Sequence, residues 1–153
     1  MALKQNWFDN VEDRPMQHPG IKWMTTAFFV KDVKKVQTFY VDVFGMVTIA
    51  ELPDEHGELI FARLRYRGIN ITLNREDPDG NGFDDYGLSP ETSGNPVSFG
   101  IYMYVDDVKS LSKDLLEHGA KEIKAPAKTM WGDMRARYQD PFGFIWDIAE
   151  SVD

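Results

Sequence analysis

Cysteine is absent from this chain of 153 residues, which excludes disulfides, thiol nucleophiles and thiolate metal sites. Histidine is scarce: His18, His56 and His118 are the only three. No apolar run approaches the ~18 residues needed to cross a bilayer, so no membrane span is expected. The segment Met1 to Asn10 lacks the apolar stretch of an export signal, and a cytoplasmic location is the expectation. Basic residues are in deficit, 17 Lys and Arg against 25 Asp and Glu, for a net charge of −8. That balance argues against nucleic acid, whose phosphates need a basic face. It suits either attraction of cationic ligands or plain solubility. The 42% hydrophobic and 27% charged residues are those of one ordinary globular domain.

The chain repeats itself at an offset of 75 positions. Val30-Lys31-Asp32-Val33-Lys34 returns as Val105-Asp106-Asp107-Val108-Lys109, and Gly68 before Ile69 to Leu73 returns as Gly143 before Phe144 to Ile148. One offset at two separated places indicates duplication of a supersecondary unit. Two such units can pair around a cleft and supply equivalent positions to one site.

Residues 1–20 read as an N-terminal arm without periodicity. The first module spans 21–75. Its strand Trp23 to Val30 precedes a helix marked by Val33, Val36, Phe39, Tyr40, Val43 and Phe44, with Asp32 as N-cap and Gly45 just past its end. Strands Met46 to Leu52, Leu59 to Tyr66 and Ile69 to Asn74 complete a βαβββ order. Residues 76–96, rich in Pro and Gly, form a linker. The second module, 97–153, repeats the order: strand Val97 to Val105, a helix capped by Asp107 and closed by Gly119, then strands near Ile123, at Met134 to Gln139 and at Phe144 to Ala149. The expected fold is α+β, two tandem βαβββ modules forming curved mixed sheets around a cleft, with the helices outside.

Neighbouring strand residues point to opposite faces. Ile69, Ile71 and Leu73 should pack on the helix, leaving Asn70, Thr72 and Asn74 toward the cleft. In the matching strand Phe144, Trp146 and Ile148 are core, while Ile145, Asp147 and Ala149 look inward. The same reasoning makes Phe28 and Val30 core with Thr25, Ala27 and Phe29 inward. It makes Phe99, Ile101, Met103 and Val105 core with Gly100, Tyr102 and Tyr104 inward. A wall of Phe29, Tyr102 and Tyr104 beside the polar row suits a small, partly aromatic ligand; interior filling or a dimer contact is the alternative.

Arg63, Arg65 and Arg67 alternate along one strand, and Arg135 and Arg137 along another. Cleft-facing arginines imply a carboxylate or phosphate ligand. The offset puts Arg137 level with Ala62, so either one set faces solvent or the two turns differ by a residue. Arg137 is the better cleft candidate, near Trp131-Gly132-Asp133, whose Trp131 joins the expected ligand-binding set. Asp147 is the acidic group expected inside, as a general base, a cation ligand, or the partner of Arg135 or Arg137. Asp77-Pro78-Asp79-Gly80-Asn81-Gly82 copies the opening of a calcium loop, but Leu88 stands where a bidentate Glu belongs, and an acidic linker is the plainer reading.

The stretches TAFFVKDVKKVQTFYVDVFGM (26–46), GIYMYVDDVKSLSKDLLEHGA (100–120) and MWGDMRARYQDPFGFIWDIA (130–149) resemble the vicinal oxygen chelate superfamily, which includes glyoxalase I, bleomycin-resistance proteins and extradiol dioxygenases. The ending resembles the PhnB-like bacterial branch. In metal-using members four inward ligands come from the first and last strands of both units. Carried over, those positions fall on Thr25, Thr72, Gly100 and Asp147, and the offset of 75 relates them in pairs. One carboxylate among two threonines and a glycine is too few donors for a divalent ion, so no metal or other cofactor is expected. The resemblance implies a homodimer that sequesters an aromatic or cationic small molecule. The alternative is an enzyme of the same superfamily (lyase, isomerase or dioxygenase) that uses Asp147 as base or an atypical metal site. A third reading is a vestigial cleft in a protein that acts through partner contacts.

Overall fold

The repeated aspartates each start a helix. Asp32 accepts from the Lys35 amide at 3.0 Å and Asp107 from the Ser110 amide at 2.9 Å, satisfying amides that a helix start leaves unpaired. The computed structural model describes residues 22–79 and 87–151. Its elements run β1 (Thr26–Val30), α1 (Val33–Phe44), β2 (Val47–Pro53), β3 (Leu59–Tyr66), β4 (Ile69–Arg75), α2 (Pro90–Ser93), β5 (Gly100–Tyr104), α3 (Val108–Glu117), β6 (Lys121–Lys128), β7 (Asp133–Gln139) and β8 (Ile145–Ser151). The short α2 inside the linker has no counterpart in the sequence reading. The N-terminal arm and residues 80–86 of the calcium-loop motif lie outside the described residues.

The two sheets share one topology, β1-β4-β3-β2 and β5-β8-β7-β6. The first strand of each module runs parallel to the last, and the remaining pairs are antiparallel. The two open mixed sheets are the expected βαβββ pair. Gly45 closes α1 at φ +70°, where a side chain would be strained.

Alternation places most core residues correctly: Phe28, Leu73, Trp146 and Ile148 are fully buried and Ile71 nearly so. Ile69 departs from expectation and is 67% exposed. The reason is register: β1 begins opposite Ile71, so the start of β4 projects beyond its neighbour. Phe99 is likewise exposed, just ahead of β5.

The modules meet on their helix sides. Phe28 packs 4.6 Å from Phe144 and 5.9 Å from Trp146, Phe44 lies 4.5 Å from Trp146, and Phe39 contacts Phe142 edge-on. Each large apolar side chain buried there contributes about 1.5–3 kcal/mol. Polar contacts cross the same seam as well. Tyr66 donates to the Tyr104 carbonyl at 2.7 Å, and Arg67 pairs with Asp106 at 2.7 Å.

Candidate functional site

Register settles where the arginines lie. β3 turns into β4 through Arg67-Gly68 alone, pairing Tyr66 with Ile69, whereas β7 reaches β8 through residues 140–144, pairing Gln139 with Ile145. The two turns therefore shift the strands by one residue relative to the repeat. Arg63 stands opposite Thr72 and Arg137 opposite Asp147, and Thr72 and Asp147 are repeat equivalents. Both arginine sets thus lie on the polar faces, away from the helices, except Arg67, which is in the turn.

On the second sheet that face carries a connected group. Asp133, Arg135 and Arg137 alternate along β7, beside Asp147 and Ala149 of β8 and Tyr102 and Tyr104 of β5. Arg137 grips Asp147 through two hydrogen bonds, Nε to Oδ1 at 3.0 Å and Nη2 to Oδ2 at 2.9 Å. Arg135 Nε lies 3.7 Å from the same Oδ1, and its guanidinium stands over the Trp131 ring at 5.6 Å. The Asp147 carboxylate raises the Arg137 pKa, first through the hydrogen bond. Asp147 is thereby engaged as the arginine partner, the structural alternative weighed in the sequence.

Asp133 is the hub that sequence reasoning missed. Its Oδ2 accepts from the Tyr102 hydroxyl at 2.8 Å, the Tyr104 hydroxyl at 2.9 Å and the Trp131 indole at 3.1 Å. The Tyr102 hydroxyl foremost holds the Asp133 carboxyl below the usual range, against an opposing desolvation. Burial and the carboxylate push Tyr102 up, and the bond to Asp133 pushes Tyr104 up. With their polar tips turned onto one carboxylate, the rings themselves are left outward: Tyr102 is 39% exposed, Tyr104 54% and Trp131 56%. The tyrosine rings meet at 5.6 Å, inclined by 60°. Parity alone puts Asp133 on the Arg135 and Arg137 face, but the three donors come from distant positions that no local pattern reveals.

On the first sheet Asn70, Thr72 and Asn74 are buried. Asn74 donates to the Phe28 carbonyl and to Thr72 Oγ1, and Arg65 donates to Asn70 Oδ1 at 2.9 Å. Thr25 sits half-buried just ahead of β1. Phe29 does not join Tyr102 and Tyr104 in one wall. It lies under Gly87, where an added Cβ would fall 1.9 Å from the ring, and it lines a hollow with Leu88, Pro96 and Phe99. An apolar crevice of about 290 Å³ opens between the modules, with Tyr102 and Tyr104 on its wall.

The Glyoxalase/Bleomycin resistance protein/Dioxygenase superfamily profile matches residues 20–148. The chain belongs to this superfamily. It is 32% identical over 124 residues to the uncharacterized protein Rv0887c of Mycobacterium tuberculosis, covering 80% of this chain and 71% of that one. Among solved structures it resembles a glyoxalase/bleomycin resistance protein/dioxygenase family enzyme from Burkholderia phytofirmans, at TM-score 0.65 and 22% identity over 84% of this chain and 97% of that one. TioX from Micromonospora sp. ML1 superposes at TM-score 0.62 with 18% identity, covering 84% and 98% of the two chains. An Arabidopsis thaliana gene product, At5g48480, superposes at 0.63 with 20% identity, covering 85% and 99%. These structural likenesses establish the fold.

The superfamily's metal positions can be tested against the donors present. Thr25, Thr72 and Gly100 offer two hydroxyls and no imidazole or carboxylate, and both oxygens of Asp147 already face guanidinium groups. Such a set does not fit a divalent ion. His56 lies in an exposed turn, and His118 ends α3 with Nδ1 2.7 Å from the Asp114 carbonyl, so neither lies on the polar faces. No helix among the described residues is long and apolar enough to cross a membrane.

Proposed function

We propose that this superfamily member, of the PhnB-like branch, is a cytoplasmic homodimer that binds and sequesters an aromatic or cationic small molecule without a metal centre. The observation that carries the reading is the outward-facing ring cluster of Tyr102, Tyr104 and Trp131, fixed on Asp133 beside the Arg137–Asp147 pair. Preorganised rings with a few oriented polar groups suit a ligand better than a reaction centre. In this reading Asp147 positions Arg137, while Thr25, Asn70, Thr72 and Asn74 supply the polar surface of the first sheet. Phe29 serves the linker instead. The enzyme alternative, with Asp147 as base, gains no support from a carboxylate whose two oxygens are both held by arginine.

The test is a thermal-shift screen of the full chain against aromatic and cationic compounds, followed by calorimetry, with elemental analysis of protein purified without a metal-affinity tag. Saturable binding and no stoichiometric metal are expected. Stoichiometric Zn, Ni, Mn or Fe, or a library without a single saturable ligand, would refute the reading.

A further inference from the structure

Asp133 is a carboxylate without a counter-ion among the described residues. It is 5% exposed, and its partners are two hydroxyls and an indole, all neutral. Among the described residues no Lys, Arg or His nitrogen lies within 4.0 Å of it, whereas the neighbouring Asp147 faces two arginines. A covered charge normally finds an opposite one. The aromatic rings around Asp133 add their own preference, since ring faces attract cations. Arg135 already stands over Trp131, but no cation of the chain stands over Tyr102 or Tyr104 among the described residues.

A second observation is independent of the first. The same two tyrosines wall the crevice of about 290 Å³ between the modules, whose other lining is mainly Met46, Ile69, Ile71, Ile101 and Met103. Arg67 reaches its rim, but that charge is matched by Asp106 at 2.7 Å. An apolar hollow thus adjoins rings that sit on a negative charge unmatched by any cation among the described residues. We propose that the edge of β5 binds an amphiphilic ammonium cation, with its alkylated head against Tyr102 and Tyr104 above Asp133 and its apolar body in the crevice. This rests on the binding reading above and names its ligand class. It also assigns the exposed Ile69 a purpose that core packing does not.

The experiment is calorimetric titration of the full chain with four probes: hexyltrimethylammonium, tetramethylammonium, hexanol and hexanoate. Hexyltrimethylammonium is expected to bind saturably, about tenfold or more tighter than each of the others. Asp133→Asn should weaken both ammonium probes by about tenfold and leave hexanol unchanged. Ile101→Trp, which fills the crevice, should remove the advantage of the hexyl chain over tetramethylammonium, with circular dichroism confirming that both variants fold. Equal binding of hexanol would overturn the ammonium assignment, as would unchanged ammonium affinity in Asp133→Asn. Preferential binding of hexanoate would instead make the arginines the recognition element. In those cases binding as such survives, whereas silence from all four probes and from the broader screen removes both readings together.

Discussion

The hydroxyl of Tyr40 in α1 donates to the carboxylate of Asp140 in the turn before β8, joining the two modules through the interior. Asp140 also accepts from the Trp146 indole at 2.9 Å and from the amides of Phe142 and Phe144 at 2.9 and 3.0 Å. The Phe-Tyr pair of the first module and the Asp-Pro-Phe-Gly turn of the second are therefore two ends of one buried structural contact. Tyr40→Phe is expected to lower stability by about 1.5–3 kcal/mol, the range for a hydrogen bond to a charged group. Asp140→Asn should lose more, because Asn has a single acceptor oxygen and its NH2 would face either Tyr40 and Trp146 or the amides of Phe142 and Phe144. Urea denaturation of the two variants tests the ordering, and a Tyr40→Phe midpoint equal to that of the parent protein would dismiss the link.

Two aspartates should respond to acid in opposite senses. Asp133 has its carboxyl lowered, chiefly by Tyr102, so its stabilising contribution is full above the unfolded value of about 3.9 and is lost as pH falls through its folded pKa. Asp140 has its carboxyl raised, chiefly by burial, so the folded chain takes up that proton first. Its contribution becomes more favourable as pH falls from the folded value toward about 3.9. Carbon-13 titration of the side-chain carboxyls should place Asp140 above and Asp133 below ordinary aspartates. The reverse order would show that burial and bonding act otherwise at these sites.

Arg67 is the described non-glycine residue with positive φ, 45°, in the two-residue turn between β3 and β4. Such turns favour Asn or Gly at this position. Here the left-handed arginine reaches Asp106 across the seam and stacks over Tyr66 at 5.4 Å. Arg67→Gly is expected to relax the turn while losing the pair, leaving the denaturation midpoint nearly unchanged. Asp106→Asn keeps the strained turn and loses the pair, so it should destabilise, and less so in high salt. A salt-independent effect of Asp106→Asn would contradict an ion pair as its cause.

Much of the architecture was legible from short-range rules. Asp32, Asp107 and Gly45 announced helix ends, and alternation sorted Phe28, Leu73, Trp146 and Ile148 from Asn70, Thr72 and Asp147, because capping and pleating are local. Ile69 defeated the same rule because its cover depends on where the neighbouring β1 begins. The arginine faces were left open because an offset counts residues along the chain, whereas a sheet is paired across strands. Asp133 stayed hidden for a third reason: its donors converge only after β5 has been laid beside β8 and the 129–133 turn has closed over it.

Gly87 has no room for a side chain, since its Cβ would enter the ring of Phe29. Gly87→Ala should therefore destabilise by about 1–3 kcal/mol, as overpacking does. Phe29→Ala should remove most of that penalty, giving coupling between the two sites in a double-mutant cycle. Additive effects would mean that the linker shifts away from β1 rather than pressing on the ring.

The duplication visible in the sequence did not produce two independent units. Asp140 sits in one half of the repeat and its hydroxyl donor in the other, and the repeat counterpart of Tyr40 is Leu115, so the contact occurs once rather than twice. Cut apart, one half would hold a buried carboxylate missing a donor and the other a buried hydroxyl missing its acceptor. Cooperativity in this chain therefore spans the repeat boundary: the halves are expected to melt together, and a change selected in one half is felt in the other.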